Sequence, residues 1–146
     1  MIEAGATLII TMSSISLFVY WFRYTCLLIL SAKTTTDYAA EIATANQLSF
    51  LQVQASLREG GLQDLDSLTQ ALDRDYAVIR HLLDRAANGE SHLETRMLQV
   101  NYRMMHTWYS ISRTFSPTAA RKALDEMAMT ISHFANAMGE QAASAA

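Results

Sequence analysis

The chain has 146 residues, of which 51% are hydrophobic and 17% charged, with a net charge of −3, five Gly, one Pro and one Cys. A lone cysteine excludes an intrachain disulfide and any metal site built on two thiolates, and the acidic balance gives no general pull toward nucleic acid. So little Gly and Pro beside so much Ala, Leu, Met and Gln leaves scant material for hairpins, and the composition points to an all-α chain.

The first predicted element is the stretch TLIITMSSISLFVYWFRYTCLLILSA, residues 7–32, whose only charge is Arg23. A helix of that length reaches about 39 Å, more than the roughly 30 Å of hydrocarbon in a bilayer, so the stretch predicts a single transmembrane helix. Arg23 costs about 2.5–3.5 kcal/mol at mid-membrane, while Leu, Ile, Val and Phe contribute roughly −0.3 to −0.6 kcal/mol each. Twelve such residues in the stretch outweigh it. Tyr20, Trp21 and Tyr24 bracket Arg23, and Lys33 follows; these five are the predicted membrane interface, an aromatic belt with snorkelling cations. A sharper reading sets Arg23 inside the bilayer against an acidic group of a partner subunit or a lipid phosphate. Residues 1–6 hold Glu3 and neither Lys nor Arg, unlike the basic start of a signal peptide. Because Arg23 and Lys33 both flank the C-terminal end, the positive-inside rule predicts the N-terminus outside and the rest in the cytoplasm. Cys26 lies within the span and reads as an inert apolar side chain.

Four amphipathic segments follow. The first, about 36–58, places Ala39, Ile42, Asn46, Phe50, Val53 and Leu57 on one helical face and stops at Gly60-Gly61. It has few charges between Thr34 and Leu57, which suggests cover on more than one side. The second, about 62–87, repeats Leu65, Leu68, Leu72, Tyr76, Ile79, Leu83 and Ala86 until Asn88-Gly89. Ser91 and Glu94 have capping-box spacing and open a third helix, with a seam of Leu93, Met97, Val100, Met104, Trp108, Ile111 and Phe115. Ser116-Pro117 supplies an N-cap and a first-turn proline for the fourth, where Ala120, Leu124, Met127, Ile131, Phe134 and Met138 step by four and three as coiled-coil positions do. Short connections favour antiparallel neighbours. The predicted architecture is therefore an N-terminal transmembrane anchor over 1–33, a small antiparallel bundle over 34–139 and a disordered tail over 140–146. The bundle has four helices, or three on an extended stalk.

Four histidines and eight methionines invite a haem or metal reading, since bundles house such sites on facing helices. Phase opposes it: His81 and His133 each lie about 200° from a seam residue, and His92 and His106 fall on the polar side of their helix. The sequence holds neither Glu-x-x-His nor two histidines four apart, so no metal or cofactor is predicted. No glycine-framed nucleophile or phosphate loop occurs either. One surface pattern remains. His92, Arg96, Arg103, His106 and Arg113 form a basic stripe opposite the third helix's apolar seam, while the second helix is rich in Asp. The simple reading is two solvated faces in mild attraction. The functional one makes Arg96, Arg103, His106 and Arg113 a contact for a partner or for lipid.

Together these features predict a non-catalytic single-pass membrane protein, whose bundle serves as an adaptor or subunit of a membrane-associated assembly. Its partners would be the bilayer and either another protein or a second copy, without nucleic acid. Two alternatives stand beside it: a tethered sensor that binds a small apolar ligand among the bundle's methionines and aromatics, and a haem-binding redox bundle.

Overall fold

The computed structural model describes residues 1–31, 38–59, 65–86 and 93–145. These are all-helical, in six helices: α1 (Ile2–Ser31), α2 (Ala39–Asn46), α3 (Phe50–Glu59), α4 (Leu65–Ala86), α5 (Leu93–Ser112) and α6 (Pro117–Ala145). The chain divides into two units, Met1–Lys33 and Thr34–Ala146. Lys33, Gly60-Gly61, Asn88-Gly89, Ser91 and His92 lie outside the described residues.

α1 is a 30-residue helix, about 45 Å long. Every side chain from Met1 to Trp21 is exposed, and Leu8, Ile9, Ile10, Met12, Ile15, Leu17, Phe18 and Val19 point to all sides. A helix without a polar face lacks the amphipathic stripe of a soluble surface helix. Hydroxyls within it are satisfied by its own backbone: Thr7 Oγ1 donates to Glu3 O at 2.8 Å, and Thr25 Oγ1 to Trp21 O at 2.9 Å. No donor at these two positions asks for water.

In the second unit α6 is the hub. It packs on α2, α3, α4 and α5, while α3 also packs on α4. Of its expected seam, Ala120, Leu124, Met127, Ile131 and Phe134 are buried and Met138 is half-buried, and Ala123, Ala128, Thr130 and Ala135 are buried as well. Small residues on these additional faces let several helices approach one axis. Ser116 Oγ accepts the Ala119 N–H at 3.3 Å, capping α6 ahead of Pro117. The helix then runs to Ala145, through most of the stretch expected to be a disordered tail.

Two further features differ from expectation. The segment expected to be one helix over 36–58 is broken into α2 and α3, so five helices follow α1 where four were expected. The break falls at Gln47, in the left-handed region at φ 56° and ψ 45°, with Leu48 N–H returning to Ala43 O at 2.8 Å. Neither Gly nor Pro marks it. What restarts the chain is distant: Ser49 N–H donates to Asp75 Oδ2 of α4 at 2.6 Å, at the head of α3. The N-terminus of α2 is held in the same way, with Tyr38 N–H and Ala39 N–H both donating to Asn136 Oδ1 of α6 at 2.7 and 2.8 Å. Orphan helix-terminal donors are thus satisfied from other elements.

The second difference concerns α5. Its buried side chains are Leu98, Asn101, Tyr102, Met105, Tyr109 and Ser112. The expected seam is rotated out: Leu93, Val100, Trp108, Ile111 and Phe115 are exposed, and Met97 and Met104 are half-buried. Leu98, Tyr102, Met105, Tyr109 and Ser112 also step by four and three, so the helix carries two candidate faces. The tyrosine face wins because its rings fill the core while their hydroxyls reach polar partners on α4.

Candidate functional site

Three surfaces carry the predicted site residues. On α1, Tyr20, Trp21 and Tyr24 are exposed, and Arg23 is half-buried three residues after Tyr20. At 100° per residue the four fall within an arc of about 160° and about 6 Å of rise, so they form a band on one side of the helix. Lys33, the fifth predicted interface residue, lies outside the described residues.

The second surface is a polar seam between α4 and α5. Asp66 and Asp73, seven residues apart on α4, each receive a tyrosine and a nitrogen-bearing side chain from α5. Tyr109 Oη donates to Asp66 Oδ1 at 2.8 Å, and Arg113 Nη1 meets the same oxygen at 2.6 Å. One heptad along, Tyr102 Oη donates to Asp73 Oδ1 at 2.9 Å, and His106 Nε2 lies 2.9 Å from Asp73 Oδ2. The pattern is a repeated clamp in which Arg113 or His106 follows its tyrosine by four residues on the same helix face. Beside it Tyr76 stacks on Tyr102 with centroids 3.9 Å apart and rings 5° from parallel. Rings and carboxylates together span the two helices.

Charge is distributed to match. The Tyr109 hydroxyl, with Arg113 beside it, lowers the Asp66 carboxyl below its ordinary range and keeps it an ionised acceptor. Burial pushes the Tyr102 phenol well above its usual range, reinforced by Asp73, and burial likewise raises Tyr76 and Tyr109. The phenols therefore stay neutral donors. Asp75 is different: it is almost fully buried, and burial raises its pKa although the Ser49 and Phe50 N–H groups pull the other way. Both oxygens of Asp73 are engaged, so the Asp73–His106 pair acts as a bracket between helices.

Of the four cations predicted as a contact surface, the seam takes two. Arg113 and His106 turn to α4, while Arg96 and Arg103 are exposed. His133, on α6, lies 3.2 Å from Glu94 Oε1 of α5. Sequence reasoning passed over Tyr102 and Tyr109, although the seven-residue spacing of both Tyr102/Tyr109 and Asp66/Asp73 was a usable signal. It also passed over Asp75 and Asn136, for which no local signal exists.

The third surface is the exposed face of α5, and separate from it α3 and α6 form a cleft of about 420 Å³ lined by Gln54, Leu57 and Arg58 of α3 and Arg121, Lys122, Asp125 and Met129 of α6. Four of its seven lining residues carry charge, which suits a polar rather than an apolar occupant. Among the described residues no three His, Cys, Asp or Glu side chains gather where they could hold a metal ion. α1 is the single helix among them long and apolar enough to cross a membrane. No protein-family model, curated protein or solved structure matches the chain.

Proposed function

We propose that the chain is a single-pass membrane protein, anchored over residues 1–33, whose helical bundle from residue 34 onward serves as a non-catalytic adaptor or subunit of a membrane-associated assembly. The observation that carries the reading is α1: 30 residues, apolar on every side and exposed from Met1 to Trp21. In water such a surface would far exceed what a soluble monomer leaves open, and in hydrocarbon it is solvated. Arg23 and the aromatic side chains beside it sit at the interface, and the cations at that end favour a cytoplasmic bundle with the N-terminus outside. The assembly role draws on the α4–α5 seam, whose carboxylates, phenols and cations neutralise one another and stiffen a scaffold. A charged cleft gives no support to a sensor of apolar ligands.

The test is mild detergent solubilisation of the full chain from native membranes, followed by mass spectrometry of what co-purifies. A stoichiometric protein partner, weakened by Arg23→Leu or by charges placed at the exposed Ala40 and Gln47, is the expected result. A strictly monomeric, partner-free protein contradicts the assembly role. An absorbing haem or a stoichiometric small apolar molecule contradicts it as well.

A further inference from the structure

The exposed stripe of α5 has a geometry of its own. Leu93, Met97, Val100, Met104, Trp108, Ile111 and Phe115 step by 4, 3, 4, 4, 3 and 4, which is an 11-residue unit used twice. Eleven residues in three turns is about 3.67 per turn, close to the natural pitch of the helix, so within α5 the stripe stays on one side from Leu93 to Ile111, about 27 Å, with Phe115 in the turn that follows. By helical phase its centre lies about 175° from the side that meets α4, where Tyr102, His106, Tyr109 and Arg113 point. It therefore faces away from the acidic helix. At its C-terminal end Trp108 and Phe115 form an edge-to-face pair with centroids 6.0 Å apart.

We infer that this stripe beds into the interface of a bilayer containing anionic lipid. Charge selects the occupant. Arg96 and Arg103 are exposed at about 75° and 95° from the stripe's centre, within reach of headgroups while their stems lie along the apolar strip. The other exposed residues of that flank, Thr107 and Ser110, are neutral. On the opposite flank the carboxylate is Glu94, which faces His133 at 3.2 Å. A second copy packed antiparallel would set the Arg96 and Arg103 edge against its own equivalent, because like edges meet in such a pair. An anionic plane meets that edge favourably along its full length, and a straight stripe ending in tryptophan fits a plane. The inference rests on the proposed anchoring only in that α1 keeps the bundle within reach of lipid.

The two tryptophans, Trp21 and Trp108, allow a separate reading of each. Full-length protein carrying Trp21→Phe is reconstituted at one copy per nanodisc with brominated acyl chains, in phosphatidylcholine alone or mixed with phosphatidylserine. Trp108 emission is expected to shift to the blue and be quenched in the anionic discs, with the ratio of docked to undocked protein rising on the order of tenfold over phosphatidylcholine alone. Arg96→Gln with Arg103→Gln removes that lipid dependence, and Val100→Asp with Ile111→Asp abolishes quenching while helicity by circular dichroism is retained. Trp108 unquenched in both compositions overturns the inference. So does a Trp108 shift that needs two copies per disc, which assigns the stripe to self-association, or one that needs an added protein. The Trp108→Phe protein reports Trp21 in the same discs. Trp21 unquenched beside quenched Trp108 overturns the anchor and leaves the stripe, and the converse overturns the stripe alone.

Discussion

Asp75 and Asn136 do from afar what a neighbouring Ser or Asp does at an ordinary helix start, and each holds backbone N–H groups that would otherwise be unpaired. Asn136→Ala is expected to destabilise the bundle by about 0.5–2 kcal/mol, the range for loss of a helix cap. Asp75→Ala leaves the α3 donors without their acceptor in a buried place, at about 1–3 kcal/mol. Chemical denaturation in detergent checks both. Gln47 invites the opposite change: its left-handed conformation strains a side chain, so Gln47→Gly is expected to stabilise by up to about 1 kcal/mol. The two aspartates of α4 with shifted pKa values predict opposite pH behaviour. Asp75 has a folded pKa above its unfolded value, so its favourable contribution is complete below the ordinary carboxylate range and is lost as pH rises through the raised value. Asp66 has a lowered folded pKa, so its contribution is present above the ordinary range and is lost as pH falls through the lowered value. Measured against pH, Asp75→Asn should therefore gain on the wild type as pH rises, whereas Asp66→Asn should lose ground over the acid range. Parallel curves for the two variants would show that neither shift exists.

At the scale of the element, α5 decides which half of the sequence pattern is core. Leu98→Ala is expected to cost about 2–5 kcal/mol as a cavity in a packed site, whereas Val100→Ala, two residues on and exposed, should stay within about 0.5 kcal/mol. Equal costs would restore the seam that aliphatic spacing alone suggests. Gly139 makes a complementary point, because a Cβ there would overlap the Cβ of Tyr38. Gly139→Ala is accordingly expected to push the start of α2 off α6 and destabilise by about 1–3 kcal/mol, seen as faster hydrogen exchange in α2 before any global change. The start and body of helix α6 were legible, since its seam, its Ser116 cap and Pro117 are local signals, but its continuation to Ala145 was not. The face of α5 was not. Hydropathy ranks Val100 and Ile111 above Tyr102 and Tyr109, and only the partner carboxylates of α4 reverse that order. The break at Gln47 was equally hidden, because the group that restarts the chain is 26 residues away from Ser49.

For the whole molecule, the class was legible and the count of helices was not. An all-helical chain with a long apolar N-terminal helix follows from composition and from one unbroken hydropathic run, both of which are sums over many residues and insensitive to any single contact. The candidate site was legible by halves. The basic stripe was visible, but its division into Arg113 and His106, which turn inward to Asp66 and Asp73, and Arg96 and Arg103, which stay outside, depends on helix rotation. The proposed function depends on α1 residing in lipid, since the interfacial band, the orientation and the reach of the bundle all follow from it. The direct measurement is alkaline carbonate extraction of membranes containing the full chain, with N-terminal sequencing of the product. The chain is expected to stay in the membrane pellet at full length with Met1 or Ile2 at its start, and release into the supernatant, or loss of the first thirty or so residues, would contradict the account.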